Sequence, residues 1–392
     1  MPIRRAALVL VVTLTAASCA GGDDDTSSTS PPARTTSSPP ATNSSPATTP
    51  PQASLAPSTP STRTPVPGGP VVPTSGEEIV TGLDAPWSIA FLNENAALVS
   101  QRDEGTIVRV DDRGNVTEVG EVPGVAGEGE GGLLGIAFDP AAPSTLYVYA
   151  TMGDENVVVR TRYVDGSFGE FETVLDGIPA GFRHDGGRLL FGPDGMLYVA
   201  TGETGNPDEA QNLDSLAGKI LRITPDGEVP PGNPFDGSPI YSYGHRNVEG
   251  LAFDDEGRLW ASEFGDREAD ELNRIEPGGN YGWPAVEGIA EGDEYIDPVV
   301  EWSPTSVASP SGLAYVRDTF FVAALRGERL WRVPVVDGDA GEPTSFVEDR
   351  GRLRDVAVAP DGTLWVMTNN TDGRGDPREG DDRILRFELA AG

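Results

Sequence analysis

Apolar residues in this chain gather in short runs rather than in stripes of helical period. A triplet of apolar residues recurs six times, as Ile89-Ala90-Phe91, Ile136-Ala137-Phe138, Leu189-Leu190-Phe191, Leu251-Ala252-Phe253, Leu313-Ala314-Tyr315 and Val356-Ala357-Val358. Turn residues follow several of them and lead into a second run rich in aromatic or β-branched residues. Gly192-Pro193-Asp194-Gly195 precedes Met196-Leu197-Tyr198-Val199, Asp255-Glu256-Gly257 precedes Leu259-Trp260, and Pro360-Asp361-Gly362 precedes Leu364-Trp365-Val366. Asp-Gly between such runs is a hairpin signal, because the glycine accepts the positive φ of a tight turn. The triplets are spaced by 43 to 62 residues, the length of one four-stranded blade with loop insertions. The pattern predicts an all-β fold, a six-bladed β-propeller of four-stranded antiparallel blades. No sustained 3.6-residue period is present, so helices should be few and short. The competing arrangement is a large β-sandwich or a pair of smaller β-domains.

The repeats begin only after a long polar stretch. Met1 to Arg5 carries two arginines and is followed by an apolar run from Ala6 to Ala17, too short to span a bilayer but suited to a secretory signal. Cys19 is the only cysteine, so no disulfide can form within the chain. Ala16-Ala17-Ser18-Cys19 resembles a bacterial lipobox with Ala in place of the usual Leu. Residues 1–19 are thus expected to be a lipoprotein-type signal peptide, and Cys19 a lipid anchor on the outer face of a bacterial cell membrane. Residues 20–75 are mostly Ser, Thr, Pro, Ala and Gly and cannot bury enough apolar surface to offset chain entropy, so they read as a disordered tether. Residues 76–392 are left for the propeller. The formal net charge is −34, and Lys219 is the only lysine. Such an acidic surface argues against nucleic acid and anionic lipid as partners, and makes clustered arginines conspicuous.

Candidate chemistry is sparse. The chain holds two histidines, in Phe182-Arg183-His184-Asp185-Gly186-Gly187-Arg188 and in Tyr243-Gly244-His245-Arg246-Asn247. Histidine titrates nearest neutrality, so either turn could carry a general base, or either could be structural. Arginines fall at comparable places in later repeats, in Leu325-Arg326-Gly327 and Gly351-Arg352-Leu353-Arg354-Asp355. A guanidinium binds carboxylates through a planar fork, so these suit a polyanionic small ligand. The alternative is that Arg352 and Arg354 line a solvated strand face. A propeller gathers loops from distant repeats at one end of its channel, which would let His184, Arg246 and Arg354 meet.

Seven segments in order carry a family resemblance: Gly131-Gly132-Leu133-Leu134-Gly135-Ile136-Ala137-Phe138, His184-Asp185-Gly186-Gly187-Arg188-Leu189, Gly244-His245-Arg246-Asn247, Ser262-Glu263-Phe264-Gly265, Asp270-Glu271-Leu272-Asn273, Asn280-Tyr281-Gly282-Trp283-Pro284 and Arg352-Leu353-Arg354-Asp355. Across Leu83 to Phe387 the chain resembles the soluble glucose and aldose sugar dehydrogenases that use pyrroloquinoline quinone (PQQ). That resemblance implies a six-bladed propeller oxidising aldoses at C1 to the lactone. It makes His184 the base and Glu203, where the family usually has Asp, its supporting carboxylate. Arg246, Asn247, Arg326, Arg352 and Arg354 become the cofactor-holding set, with Arg326 replacing a Lys. A catalytic calcium is implied at the backbone carbonyls of Gly265 and Asp266, the latter replacing a Pro. A second calcium is implied near Glu287, Ile289 and Glu291, and contacts to the sugar by Glu130 and Asp208.

Other readings stand beside this one. Glu263, Asp266, Glu268, Asp270 and Glu271 could form a solvated acidic loop, and their spacing is not that of an EF-hand. Trp283 and Trp302 could be blade core or ligand platforms. With no Cys-x-x-Cys-His haem motif, electrons must pass to a separate acceptor. The competing functions are a non-catalytic binding propeller, since fold alone does not imply function, and a calcium-dependent propeller lactonase or hydrolase.

Overall fold

The computed structural model describes residues 69–290, 292–336 and 338–392. The signal peptide, Cys19, nearly all of the tether and Glu291 lie outside the described residues.

Six antiparallel sheets follow one another along the chain, and their first strands are Pro86–Asn93, Leu133–Asp139, Leu189–Phe191, Val248–Phe253, Pro310–Tyr315 and Leu353–Val358. Each apolar triplet of the sequence lies on one of these strands. Every first strand packs against the first strands of the sheets on either side, and that of the sixth sheet meets that of the first, so the ring is closed. The protein is a six-bladed β-propeller, and the sheets are here called blades 1 to 6. Within blades 1 to 5 the strands step outward in chain order, as in blade 3, where Leu189–Phe191, Leu197–Ala200, Lys219–Ile223 and Ile240–Tyr243 pair in turn. Blade 6 takes its outermost strand from the beginning of the domain. Val71–Val80 pairs with Ile384–Ala391, from Val71 opposite Ala391 to Val80 opposite Ile384. Residues 71–75, whose composition matches the tether, are therefore strand. Pro73 is accommodated because this strand is the edge of its sheet, where a missing N–H breaks no second ladder.

The second strands explain the long apolar runs. Leu197–Ala200, Leu259–Glu263, Thr319–Ala324 and Leu364–Thr368 are buried at every position, because neighbouring blades cover both faces of a sheet near the axis. At the periphery Val116–Glu121 has no buried position and carries charge accordingly. Each core cluster is built mainly from two adjacent blades, so the core is a series of layers between blades rather than one centre. Burying a Leu, Val or Phe side chain contributes about 1.5–3 kcal/mol, and Trp260, Trp365, Phe320 and Phe321 anchor these layers with at most 1% of their surface exposed. The described residues contain two short 3₁₀ turns, Pro207–Ala210 and Thr305–Val307, and no α-helix.

The Asp-Gly turns join first to second strands. In blades 3 and 6 Gly195 and Gly362 have φ of 75° and 87°, while Asp194 and Asp361 accept N–H bonds from Met196 and Thr363. The opposite end of the propeller is where first strands begin and second strands finish. Segments 128–132, 181–188, 201–218, 244–247, 264–269, 325–328, 351–352 and 369–374 all lie there. The strand order thus carries most of the candidate chemistry to one end.

Candidate active site

His184 sits in the turn leading into blade 3 with φ of 60°, the left-handed region that a residue bearing a Cβ rarely enters. Its surroundings account for this. The His184 N–H donates to Glu130 Oε2 at 2.6 Å, and its carbonyl accepts from the Thr204 N–H at 3.1 Å. Gly202 must be glycine, since a Cβ there would lie 2.0 Å from the His184 carbonyl oxygen. Asp185 ties the turn to blade 2, with Oδ1 accepting from Asn156 Nδ2 at 3.0 Å and from the Gly181 N–H at 2.9 Å.

The imidazole Nδ1 is hydrogen-bonded to Glu203 Oε1, and both residues are buried, with 6% and 1% of their surface exposed. Nε2 makes no hydrogen bond among the described residues, and it is not among their enclosed, unpartnered atoms. A carboxylate on Nδ1 fixes the ring and leaves Nε2 as the nitrogen able to take a proton. His245 is different. Its Nδ1 meets Glu263 Oε2 and its Nε2 meets Ser242 Oγ, both at 2.8 Å, while the ring stacks on Tyr281 with centroids 4.6 Å apart. With both nitrogens engaged it is a core histidine.

Three of the arginines singled out by sequence are buried. Arg352 Nη2 reaches Asp372 Oδ2 at 3.0 Å. Arg354 Nη1 reaches Glu249 Oε2 at 2.7 Å. Arg246 Nη2 reaches Asp266 Oδ1 at 3.1 Å and its guanidinium lies 5.3 Å from the Trp283 ring centre. Asn247 is buried too, bridging the Gly186 N–H and Glu249 Oε1 at 3.0 and 2.9 Å. Arg326 instead stands exposed, with no ion pair among the described residues. Asp208, on the 3₁₀ turn after Glu203, is also exposed, and its carboxylate makes no hydrogen bond among them. Trp302 is blade core beside Trp331, whereas Trp283 is half-buried at the site.

Hydrogen bonds, with one 4.0 Å ion pair between Arg354 and Asp372, join these groups into a ring. His184 N–H leads to Glu130, Glu130 to Arg374, the Arg374 N–H to Asp372, Asp372 to Arg352 and Arg354, Arg354 to Glu249, Glu249 to Asn247, and Asn247 back to Gly186. Burial works against the charge of Asp372, yet Arg352 and Arg354 hold its carboxyl below the usual range. Burial also lowers the Arg354 guanidinium. Glu249, Asp372 and Arg374 escape a motif reading because their partners are remote in sequence. The Glu249–Arg354 contact spans 105 residues and the Glu130–Arg374 contact 244.

The ring leaves donors over. Nε of Arg246, Arg352 and Arg354 and Nη2 of Arg188 are enclosed and have no partner, as is Nε1 of Trp283. A buried unsatisfied donor costs about 1–3 kcal/mol, so this concentration of N–H groups fits a ligand bearing carboxylates and carbonyls.

The Gly265–Asp266 turn has an equally definite geometry. Glu287 Oε1 accepts the N–H groups of Asp266, Arg267, Glu268 and Ala269 at 2.6 to 3.1 Å. Across a trans peptide the carbonyl opposes the following N–H, so the carbonyls of Gly265 and Asp266 point away from Glu287. Neither accepts a hydrogen bond among the described residues. Two free carbonyl oxygens fit part of the coordination of a hard cation such as calcium. Glu287 is engaged by N–H groups, and Ile289 is 64% exposed with its N–H on Glu301 Oε2 at 3.1 Å. Asp270 and Glu271 lie behind this turn. Burial pushes Asp270 up to about 7, and burial together with the Glu263 charge pushes Glu271 up to about 8.

The family model of glucose/sorbosone dehydrogenases matches residues 83–385. The chain belongs to the glucose/sorbosone dehydrogenase family. Among curated relatives, the aldose sugar dehydrogenase YliI of Escherichia coli K12 is 33% identical over 74% of this chain and 89% of its own length. Quinoprotein glucose dehydrogenase B of Acinetobacter calcoaceticus is 33% identical over 55% of this chain and 54% of its own length. Among solved structures, the PQQ-bound aldose sugar dehydrogenase of Streptomyces coelicolor is 52% identical, spans 83% of this chain and all of that one, and superposes with a TM-score of 0.79.

Proposed function

We propose that this protein oxidises aldose sugars at C1 to the lactone, with PQQ as electron acceptor and calcium as its companion ion. The observation that carries the reading is a histidine whose Nε2 is left open by the Glu203 bond, beside a network of hydrogen bonds and ion pairs in which the buried guanidiniums retain unpartnered donors.

His184 Nε2 takes the proton of the anomeric hydroxyl, a general-base contribution of roughly 10²–10⁴-fold. Glu203 keeps the ring in the tautomer with Nδ1–H and stabilises the imidazolium that forms. The side chains of Arg246, Arg352 and Arg354 would hold the cofactor carboxylates, with Arg326 at the rim. Asn247 supports them through Glu249. The Gly265 and Asp266 carbonyls would hold calcium. PQQ, when bound, supplies the two-electron chemistry by accepting the hydride that leaves C1, and calcium supplies Lewis acidity. The exposed Asp208 stands on a loop beside Glu203, where it would meet the sugar's outer hydroxyls. Electrons then pass to an external acceptor. Export and a lipid anchor at Cys19, read from residues 1–19, would place the reaction outside the cytoplasmic membrane.

The test is dye reduction by the purified protein across a panel of aldoses, with PQQ and calcium added or withheld. Sugar-dependent reduction that requires both additions is expected. Reduction that proceeds without PQQ, or none with any sugar, would reject the reading.

A further inference from the structure

The backbone of His184 has to be kept in a left-handed conformation, and the group that does so is charged. Glu130 Oε2 accepts the His184 N–H at 2.6 Å. Its other oxygen is bonded to the guanidinium of Arg374, which reaches across from the loop after the second strand of blade 6. Arg374 is itself fixed, because its N–H donates to Asp372 Oδ1 at 2.9 Å, while Asp372 Oδ2 holds Arg352 at 3.0 Å. The Glu130 side chain is 18% exposed and that of Arg374 46%. Burial opposes the Glu130 charge, and the His184 N–H together with Arg374 keeps its carboxyl below the usual range. The main chains also meet closely here. The Glu130 N–H donates to the Phe182 carbonyl at 3.1 Å, and a Cβ on Gly129 would lie 2.0 Å from that carbonyl oxygen. Both Glu130 oxygens are thus engaged by protein groups rather than left for a sugar.

We propose that Glu130 and Arg374 are positioning residues for His184: the ion pair fixes the carboxylate that binds the His184 main-chain N–H, and this aims Nε2 at the reacting hydroxyl. This rests on His184 acting as the base. Neither residue touches the reacting atoms in this account. Misplacing a catalytic group by about 1 Å costs on the order of 10²-fold in rate, so the pair acts on turnover rather than on sugar binding.

The experiment uses Glu130→Ala, Glu130→Gln, Arg374→Met and Arg374→Lys in the full chain. Glu130→Ala and Arg374→Met should each lower kcat by about 10-fold or more, with KM for the sugar within about twofold. Glu130→Gln keeps an acceptor for the His184 N–H, and Arg374→Lys keeps the charge, so both should recover most of the rate. A KM that rises with kcat unchanged would make Glu130 a sugar contact and overturn the proposal. A second readout needs no turnover. The chain has only two histidines, so nitrogen-15 NMR of the imidazoles gives two sets of ring signals. Glu130→Ala and Arg374→Met should shift or broaden the His184 set and leave the His245 set in place. Unchanged His184 signals in both variants would overturn the positioning role even if no sugar were oxidised, whereas failure of oxidation alone would count against the proposed function.

Discussion

His184 and His245 occupy equivalent turns of neighbouring blades. Each precedes the first strand of its blade, and each pairs through Nδ1 with a glutamate at or just beyond the end of that blade's second strand, Glu263 as the last residue of Leu259–Glu263 and Glu203 in the loop after Leu197–Ala200. In the blade 4 turn the left-handed residue is Gly244, with φ of 77°, and the histidine after it is wholly buried with Ser242 on Nε2. In the blade 3 turn the histidine itself takes the left-handed conformation, and its Nε2 has no hydrogen-bond partner among the described residues. The same pair of side chains is therefore closed off in the core of one blade and leaves an imidazole nitrogen open in the next. What separates them is backbone conformation and the group opposite Nε2, not the presence of a histidine and a carboxylate.

The glutamates offer the sharpest way to break this comparison. Glu203→Gln should lower kcat by about 10²-fold or more, because the ring loses the group that fixes its tautomer and stabilises its charge. Glu263→Gln should leave kcat within about threefold while lowering stability by about 1–3 kcal/mol, since it loosens a buried network. Steady-state kinetics beside urea unfolding would separate the two, and equal losses of kcat would erase the distinction.

Smaller effects are expected among the arginines. Arg354→Lys keeps the charge opposite Glu249 but removes the unpartnered Nε–H, and should weaken PQQ binding by about 10-fold in calorimetry. Arg326→Met, at an exposed position, should weaken it by less than about threefold. Arg326→Met exceeding Arg354→Lys would move the cofactor site toward the rim.

The smallest effect concerns acid stability. The carboxyl of Asp372 is depressed in the folded protein from an ordinary value of 3.8. Its contribution is thus fully present above about pH 4 and is lost as pH falls through the lower folded value. Asp372→Asn should unfold more easily at pH 7 and lose less further stability below pH 4, as followed by denaturant titration. An unaltered acid limb would show that the Arg352–Asp372–Arg354 cluster carries no linkage.

The propeller was legible because each blade repeats one signal. An apolar triplet on the inner strand and a buried second strand have both faces covered, so composition there reports position directly. Outer strands such as Val116–Glu121 carry no such signal, being solvated on the rim. The closing strand is invisible for another reason: Val71–Val80 is half polar, and its partner lies at the other end of the domain. At the site, His184, Glu203 and the paired arginines could be found because they sit in short local motifs. Glu249 and Asp372 could not, since their meaning comes from partners in other blades. Lys219 was conspicuous as the sole lysine, yet nothing local says that its ammonium is buried against the carbonyls of Glu209, Ala210 and Ala217, holding the loop beyond Glu203.

The central claim is that the open Nε2 of His184 performs the proton abstraction. Its most direct test is the single-turnover reduction of bound PQQ by an aldose, followed by absorbance in His184→Asn and His245→Asn proteins. His184→Asn should bind PQQ as the parent does and reduce it at least about 100-fold more slowly, while His245→Asn, once folded, should retain a rate within about threefold of the parent. Reduction by His184→Asn at the parent's rate would contradict the account.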